Sequence, residues 1–336
     1  MKAAILEQID RPLVIAEVEP ANPLLIGQVL VKILVSGLCG AQLQEIRGDK
    51  GNAKYVPHLL GHEGCGEVVE IGPGVSKIQV GDRVILHWRK GDGIEAAFPE
   101  YIYKGKKITS GKITTLSEYS IVSENRLTKV SPTTSPDLCA LLGCALSTAL
   151  GIIDNDAQIK LGERVAVLGC GGVGLSIIQG AILAGAVSVL GIDSSYAKQT
   201  LVENHGGKFL NSNCDTIATE VDCIIDTTGS MELVSRWIPL LSNTGRIIIV
   251  SQPKANSNLT ITQPGLFFRG EGIRISTTQG GKVNPSTDLQ RYIRLYEKMR
   301  IHLAKTITHR FRLDDINLAV DVLRRGEAGR ILIDLT

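Results

Sequence analysis

One short glycine-rich segment has the spacing of a phosphate-binding loop. Gly169, Gly171 and Gly174 fall on the pattern G-x-G-x-x-G, after an apolar run and at the start of a segment with helical spacing. In this pattern the first glycine makes a tight turn, the second admits a pyrophosphate, and the third packs helix on strand. The helix N-terminus then offers unpaired N–H groups to the phosphates. The segment predicts a dinucleotide site that includes Gly172 and Val173; the alternative is a tight turn in an unrelated α/β sheet.

An acidic residue closes the next apolar run, residues 187–192. Asp193 lies 19 residues beyond Gly174. A carboxylate at this position can accept hydrogen bonds from both hydroxyls of the adenosine ribose, and it repels a 2′-phosphate. NAD is therefore favoured over NADP. The alternative is that Asp193 caps a helix that starts at Ser194.

Cysteines and histidines are the other residues that could do chemistry. The seven cysteines form no CxxC pair and no even disulfide framework, so in a reducing compartment they are expected to be thiols or metal ligands. A single cysteine or histidine, taken alone, belongs to the core more often than to a metal site. Residue type alone leaves both interpretations open.

A longer pattern around one histidine resembles a known family. Gly61-His62-Glu63-x-x-Gly66-x5-Gly72-x2-Val75 matches every fixed position in the signature of the zinc-containing alcohol dehydrogenases of the medium-chain dehydrogenase/reductase superfamily. Further matches occur in the family's order, so the resemblance spans nearly the whole chain. They lie at residues 36–40, 142–148, 169–174 and 323–330.

The resemblance implies a zinc ion held by Cys39, His62 and Cys144. Two thiolates and a neutral imidazole suit zinc, and three protein ligands leave its fourth position open. An open zinc can bind a substrate oxygen, lower the pKa of an alcohol and polarise a carbonyl. Glu63 lies behind the metal in the family, where it is a possible transient ligand.

The resemblance also implies roles for residues around the cofactor. Thr148 is expected under the nicotinamide and Arg330 at the pyrophosphate. Lys198 is expected at the adenosine ribose, with a solvated helix lysine as the alternative. His87 either contacts substrate or belongs to the core or rim. The remaining cysteines and histidines are assigned to packing or the surface: Cys65, Cys139, Cys170, Cys214, Cys223, His58, His205, His302 and His309.

The chain departs from the family in two respects. No cysteine occurs between Cys65 and Cys139, so the lobe that carries a structural zinc in many members is absent; a polar stretch, residues 88–112, is expected to form a long loop instead. Ala41, Gln42 and Gln44 replace the family's proton-relay hydroxyl, an acid that orients the zinc histidine, and a relay histidine. The amide oxygen of Gln42 is expected to accept the imidazole N–H.

Two kinds of element must position these residues. Residues 1 to about 145 alternate short β-branched runs with turn signals, which predicts a mostly antiparallel β domain. From residue 164 apolar strands alternate with helices, which predicts a parallel sheet covered on both faces. The expected fold is α/β: a GroES-like catalytic domain (1–146 and 285–336) and a doubly wound Rossmann domain (147–284) that binds NAD.

Composition excludes several classes of function. A net charge of +2, with no basic block that contains interleaved aromatics, argues against nucleic acid. No apolar run approaches the roughly 20 residues that span a bilayer, and the N-terminus has no signal-peptide core. A cytoplasmic enzyme is expected, and the resemblance implies a homodimer or homotetramer that pairs near residues 273–277.

The leading hypothesis is oxidoreduction of a polar secondary alcohol or its ketone, such as a sugar, cyclitol or similar polyol, with NAD(H) and one catalytic zinc. The polar substrate is inferred from residues near the expected cleft, although a merely solvated loop explains them equally well. Two alternatives are a glutathione-dependent formaldehyde dehydrogenase and a non-catalytic NAD-binding regulatory protein. The residues from which a polar substrate is inferred are Arg89, Lys90, Asp92, Tyr101, Tyr103 and Lys104.

Overall fold

The computed structural model describes residues 1–213, 220–254, 256–268 and 272–336. These residues form two compact units. Unit 1 comprises Met1–Ala145, Asn284–Arg294 and Ile307–Thr336, and unit 2 comprises Leu146–Val283 and Leu295–Thr306.

Unit 2 includes one segment that the sequence placed in the first domain, Leu295–Thr306. Two hydrogen bonds hold it there. The His302 N–H donates to Oε1 of Gln179 over 3.0 Å, and Nε2 of His205 lies 2.9 Å from the Thr306 hydroxyl.

The strands and helices are numbered in chain order. The strands are β1 (Lys2–Leu6), β2 (Val14–Glu17), β3 (Glu19–Pro20), β4 (Gln28–Leu38), β5 (His58–Leu59), β6 (Glu63–Ile71), β7 (Arg83–His87), β8 (Tyr101–Tyr103), β9 (Lys106–Ile108), β10 (Tyr119–Ser123), β11 (Leu127–Lys129), β12 (Arg164–Leu168), β13 (Ser188–Asp193), β14 (Lys208–Asn211), β15 (Val221–Asp226), β16 (Leu241–Ile249), β17 (Arg274–Thr277), β18 (Ile307–Arg312) and β19 (Arg330–Asp334). The α-helices are α1 (Gly40–Arg47), α2 (Pro136–Leu142), α3 (Ala145–Gly151), α4 (Gly172–Leu183), α5 (Gln199–Asn204), α6 (Met231–Trp237), α7 (Pro285–Glu297) and α8 (Ile316–Arg324).

Unit 1 is built around the long strand β4. This strand pairs antiparallel with β6, β10 and β19, and the main sheet has the order β11-β7-β6-β4-β19-β18. Val29, Val31 and Ile33 alternate along β4 with their side chains buried, the period-two pattern of a strand that covers a core. The predicted mostly antiparallel β domain is confirmed.

The polar stretch 88–112 is not wholly a loop, as the sequence led us to expect. It contains a hairpin of β8 and β9 that turns through Lys104 and Gly105, both at positive φ (50° and 71°). Two adjacent residues at positive φ match a type I′ turn, whose twist suits a tight hairpin. Tyr101 and Tyr103 are buried, so their alternation was the signal of a strand.

Unit 2 contains a six-stranded parallel sheet in the order β14-β13-β12-β15-β16-β17. Val165 and Val167 of β12 belong to the apolar core on one face of this sheet, whereas Ala166 and Leu168 belong to the core on the other. A strand buried on both faces explains the continuous apolar run. The predicted doubly wound Rossmann sheet is confirmed.

In the described part of the chain, only one bent pair of helical segments has the length and composition that could cross a membrane. No single helix there is long and apolar enough to cross a bilayer. Pro136–Leu142 and Ala145–Ala157 pass the test of length and composition only when they are taken together.

Candidate metal and nucleotide sites

Three potential metal ligands converge in unit 1. The ligand atoms of Cys39, His62 and Cys144 all lie within 4.8 Å of one another. Cys39 follows β4 directly, His62 immediately precedes β6, and Cys144 connects α2 to α3. Because β4 and β6 are paired, with Ser36 opposite Gly64, the first two ligands are brought to the same end of the sheet.

Two glycines allow the backbone to pack closely around this cluster. Gly61 has φ of +98°, and a Cβ there would lie 2.5 Å from Oγ1 of Thr115. A Cβ on Gly143 would lie 2.4 Å from the Leu86 carbonyl oxygen and 2.7 Å from Cα of Glu63. Only glycine fits at either position, next to His62 and next to Cys144.

The cluster favours one thiolate. A hydrogen bond from Cys144 lowers the pKa of the Cys39 thiol, against the effect of burial, and His62 adds to the lowering. The same hydrogen bond, together with burial, raises the pKa of Cys144. Burial lowers the pKa of His62, but the Cys39 hydrogen bond and charge outweigh it and the net direction is upward. Two thiols and an imidazole in such contact are a donor set that fits zinc.

Glu63 and Arg330 form a fully buried ion pair beside the ligands. Nη2 of Arg330 donates to Oε1 of Glu63, whereas Oε2 accepts from the Ala145 N–H over 3.1 Å. Burial raises the pKa of Glu63, although the charge of Arg330 opposes the rise. Glu63 thus holds the backbone that follows Cys144. Arg330 is 3% exposed, and its Nε has no partner among the described residues.

Gln42 connects two of the ligand residues. It is 1% exposed, and its Oε1 accepts from the Cys39 N–H over 3.1 Å. Its Nε2 lies 2.6 Å from Nδ1 of His62. The expectation that the amide oxygen faces the imidazole therefore differs from the structure, because that oxygen caps the first turn of α1. The position of Gln42, three residues after Cys39, is the signal of this capping bond.

His87 is held in the interior of unit 1. Its Nδ1–H donates to the Arg89 carbonyl over 2.6 Å, so its Nε2 accepts from the Thr128 hydroxyl over 3.0 Å. Burial lowers the pKa of His87 to about 4. Each nitrogen of the neutral ring has a hydrogen-bond partner, which favours His87 as a core residue over His87 as a substrate contact.

Three of the residues that suggested a polar substrate make hydrogen bonds to other residues of unit 1. The Tyr103 hydroxyl donates to Oε1 of Glu7, and Lys104 pairs with the same oxygen over 2.8 Å. The Tyr101 hydroxyl accepts from the Ile121 N–H over 3.0 Å. These contacts remove Tyr101, Tyr103 and Lys104 from the argument for a polar substrate.

The glycine-rich segment in unit 2 forms the turn between β12 and α4. Gly169 has φ of +90°, and Gly171 is the N-cap of α4. A Cβ on Gly174 would lie 1.9 Å from the Gly169 carbonyl oxygen, so only glycine lets α4 pack this closely. A Cβ on Gly171, in contrast, would meet no described atom within 4 Å. Open space over the second glycine is where a pyrophosphate is expected.

Asp193 ends β13 beside this turn. Its Oδ2 accepts from the Cys170 N–H over 2.8 Å, and its Oδ1 accepts from the Ser195 N–H over 3.0 Å. A cavity of about 310 Å³ borders Gly169 and Asp193. Each carboxylate oxygen keeps a lone pair for a further donor. The cavity is also lined by Ser194, Ser212, Thr228, Ser230, Glu232 and Arg236, among others.

Lys198 and Thr148 are both buried in unit 2. Lys198 is 3% exposed, which contradicts its interpretation as a solvated lysine. Burial is the main influence on the pKa of Cys170 and raises it, whereas the charge of Lys198 opposes the rise. Thr148 lies in α3 and is 7% exposed.

The other cysteines and histidines are distributed through both units. Cys65, Cys139, Cys170 and Cys223 are buried, and Cys214 lies outside the described residues. His58 and His205 are buried, and each is hydrogen-bonded through both ring nitrogens. His309 is partly buried, whereas His302 is exposed.

Two family models match the chain. Residues 26–132 match the alcohol dehydrogenase GroES-like domain, and residues 172–298 match the zinc-binding dehydrogenase model. An S-(hydroxymethyl)glutathione dehydrogenase of Synechocystis sp. is 30% identical over 99% of both chains.

Solved structures share the fold over the whole length. A zinc-binding alcohol dehydrogenase protein of Burkholderia ambifaria has a TM-score of 0.88 at 22% identity, covering 100% of this chain and 98% of that one. Benzyl alcohol dehydrogenase of Acinetobacter calcoaceticus also has a TM-score of 0.88 at 22% identity, with coverage of 100% and 99%. The chain belongs to the zinc-containing alcohol dehydrogenase family of the medium-chain dehydrogenase/reductase superfamily, and it is an oxidoreductase.

Proposed function

We propose that the protein transfers a hydride between NAD(H) and a polar secondary alcohol or its ketone, with one catalytic zinc. The observation that carries this proposal is the convergence of Cys39, His62 and Cys144 in a family whose members are zinc-dependent dehydrogenases. A zinc ion held by these residues supplies Lewis acidity, which lowers the pKa of a hydroxyl or polarises a carbonyl.

Residues around the ligands keep the metal-binding side chains in place. Glu63 fixes the backbone that follows Cys144, and Arg330 neutralises the buried carboxylate. This supports Glu63 as a positioning residue, while its role as a transient ligand remains a prediction. Arg330 at the pyrophosphate and Thr148 at the nicotinamide likewise remain predictions from the resemblance.

A single zinc is favoured by the segment between β7 and β10. That segment contains no cysteine in the sequence, and it forms the β8–β9 hairpin. Without soft thiolate donors it has no ligand set typical of a structural zinc. We therefore propose one zinc ion per chain.

NAD is favoured over NADP because of Asp193. Its carboxylate borders the cavity beside the glycine turn, where it can accept from ribose hydroxyls and repel a 2′-phosphate. Lys198, which is buried nearby in unit 2, is proposed to bind the same ribose.

The proton of the alcohol must leave without the side-chain hydroxyl that is usual in the family. The side chain of Ala41 carries no polar atom, and both ring nitrogens of His87 are hydrogen-bonded within unit 1. The remaining route is bound water or a hydroxyl of the substrate itself. A substrate with neighbouring hydroxyls would supply that route, which favours a polyol over a simple alcohol.

A second candidate is a glutathione-dependent formaldehyde dehydrogenase. It is favoured by the name of the Synechocystis relative at 30% identity. The absence of a hydroxyl at Ala41 argues against it.

The test combines metal analysis with a substrate screen. Purified protein is expected to contain one zinc per chain and to reduce NAD with at least one polyol, sugar or cyclitol. Turnover of S-(hydroxymethyl)glutathione alone would select the second candidate. Tight NAD binding with no turnover of any carbonyl or alcohol would favour a regulatory protein, and a chain that binds no zinc would refute both enzyme proposals.

Assembly and location remain predictions. We propose a homodimer or homotetramer that pairs through β17, the last strand in the described sheet of unit 2, whose residues are largely exposed. An edge strand with free N–H and C=O groups suits such pairing. A cytoplasmic location is proposed from the sequence alone, because cysteines that are thiols or metal ligands suit a reducing compartment.

A further inference from the structure

The surroundings of the Gln42 amide conflict with what His62 needs in order to bind zinc. Nδ1 of His62 faces Gln42, so Nε2 is the nitrogen available to the metal cluster. A neutral imidazole that ligates through Nε2 carries its hydrogen on Nδ1 and needs an acceptor there. The conflict concerns which atom of the amide meets Nδ1.

Two contacts fix the amide in the opposite orientation. Oε1 of Gln42 accepts from the Cys39 N–H over 3.1 Å, and Nε2 lies 3.5 Å from Oε2 of Glu45. If the amide flipped, its NH₂ group would face the Cys39 N–H and its oxygen would face a carboxylate. Both exchanges replace an attraction by a repulsion.

The position therefore has to serve two donors with one acceptor. The Cys39 N–H and an Nδ1–H of His62 both need an oxygen from residue 42, but the single amide oxygen points at the Cys39 N–H and the NH₂ group meets Nδ1. A carboxylate would serve both. Gln42 is 1% exposed, so water has little access to relieve the mismatch.

We propose that Gln42 disfavours the imidazole tautomer that ligates zinc, and that the protein consequently binds its zinc more weakly than the three ligands alone would allow. This inference rests on the proposed zinc site. Gln42 acts through His62 and is a positioning residue. Zinc in this protein is expected to exchange readily with chelators.

Two variants that differ mainly in one polar atom at residue 42 test the inference. Replacing Gln42 by Glu alone would place two carboxylates side by side, because Glu45 lies within 3.5 Å of the amide. The test therefore compares Gln42→Glu combined with Glu45→Gln against Glu45→Gln alone. In the double variant the new amide at 45 can donate to the new carboxylate at 42, and its formal charge equals that of the wild type.

Zinc affinity is measured by competition with a chromophoric chelator at neutral pH. Outer partners of a zinc histidine change metal affinity by about 10- to 100-fold. We expect the double variant to bind zinc at least about 10-fold more tightly than Glu45→Gln alone. Equal affinities would overturn the inference and leave the zinc site standing. Absence of zinc binding in both variants and in the wild type would instead refute the zinc site.

A second measurement observes the His62 ring directly. Nitrogen-15 NMR of the metal-free wild-type protein, with labelled histidine and His62→Gln for assignment, reports which ring nitrogen of His62 carries the hydrogen. At a pH where the ring is neutral, we expect the hydrogen on Nε2 in the wild type and on Nδ1 in the double variant. Hydrogen on Nδ1 in the metal-free wild type would overturn the inference. A merely structural role of Gln42 would not move the hydrogen.

Discussion

The two candidate sites are built in opposite ways. In unit 2 the nucleotide turn consists of six consecutive residues, 169–174, which contribute backbone conformation and open space. In unit 1 the metal cluster consists of three side chains, and the first and last lie 105 residues apart (39 to 144). One site therefore depends on local backbone geometry, and the other depends on long-range strand pairing.

The difference extends to the surroundings of each site. The glycine turn needs few side-chain partners because its binding groups are N–H groups at the start of a helix. The metal cluster is surrounded by buried polar groups that depend on one another for partners, including the Glu63–Arg330 ion pair and Gln42. Side-chain sites are thus sensitive to substitutions outside the ligands, whereas backbone sites are sensitive mainly to added volume.

The largest expected effect is a loss of zinc affinity without a loss of NAD affinity. Cys144→Ser removes one of the two thiolates, and zinc affinity should fall by at least about a thousandfold, since structural sites owe on the order of 10 kcal/mol to their full ligand set. NAD affinity should be retained. Zinc is measured by mass spectrometry and NAD binding by calorimetry. Cys223→Ser, a buried cysteine of β15, is the control and should keep its zinc; equal zinc content in both variants would contradict the ligand set.

The reciprocal change acts on the glycine turn. Gly174→Ala brings a Cβ to within 1.9 Å of the Gly169 carbonyl oxygen and should reduce NAD affinity by more than about 100-fold, with zinc retained. Gly171→Ala meets no described atom within 4 Å. It should leave thermal stability nearly unchanged but weaken NAD binding about tenfold, because the methyl group occupies the expected place of the pyrophosphate. Unchanged NAD affinity in Gly171→Ala would refute that placement.

Two glycine substitutions in unit 1 test how sensitive the buried polar groups are to added volume. A Cβ on Gly37 would lie 2.6 Å from Oε1 of Glu63 and 2.9 Å from Nη2 of Arg330. Gly37→Ala should therefore lower the free energy of unfolding by about 3 kcal/mol, the cost of disturbing a buried ion pair. Gly40→Ala, in the first turn of α1, meets no described atom within 4 Å and should be neutral or slightly stabilising. Urea unfolding measures both, and similar losses would contradict the argument.

His87 should make stability depend on pH. Burial lowers its pKa to about 4 in the folded protein from the ordinary histidine value of 6.5, so between these two pH values the unfolded chain binds more protons. Stability should therefore fall as the pH falls from about 6.5 to about 4, by about 3 kcal/mol in total. His87→Gln lacks this dependence. Urea unfolding from neutral pH to pH ~4 should show the variant gaining on the wild type by that amount, whereas parallel profiles would show that His87 is not buried as a neutral ring.

The smallest expected effect concerns the choice of nucleotide. Asp193→Ala removes the acceptor for ribose hydroxyls and the repulsion of a 2′-phosphate, so the ratio of NAD to NADP affinity should fall about tenfold, or about 1.4 kcal/mol. Glu203→Ala removes an exposed carboxylate of α5 and is the control. An unchanged ratio in Asp193→Ala would mean that the carboxylate serves only the Cys170 and Ser195 N–H groups.

Sequence patterns predicted the parts of the protein that depend on local spacing. The glycine turn, the end of β13 at Asp193 and the two kinds of sheet follow from periodicity and glycine positions. The β8–β9 hairpin was missed because three-residue strands carry too short an alternation to stand out in a polar stretch. His87 could not be assigned because one of its two partners, Thr128, lies 41 residues away in the sequence.

By itself, the sequence determined the family, the ligand candidates and the nucleotide turn, because residue type and spacing carry that information directly. Only the tertiary structure decided that Glu63 is held by Arg330 and Ala145 and that Lys198 is buried. The physical reason is that a buried polar group is stable only when a hydrogen-bond partner reaches it. Which partners it finds depends on long-range packing that no local pattern encodes.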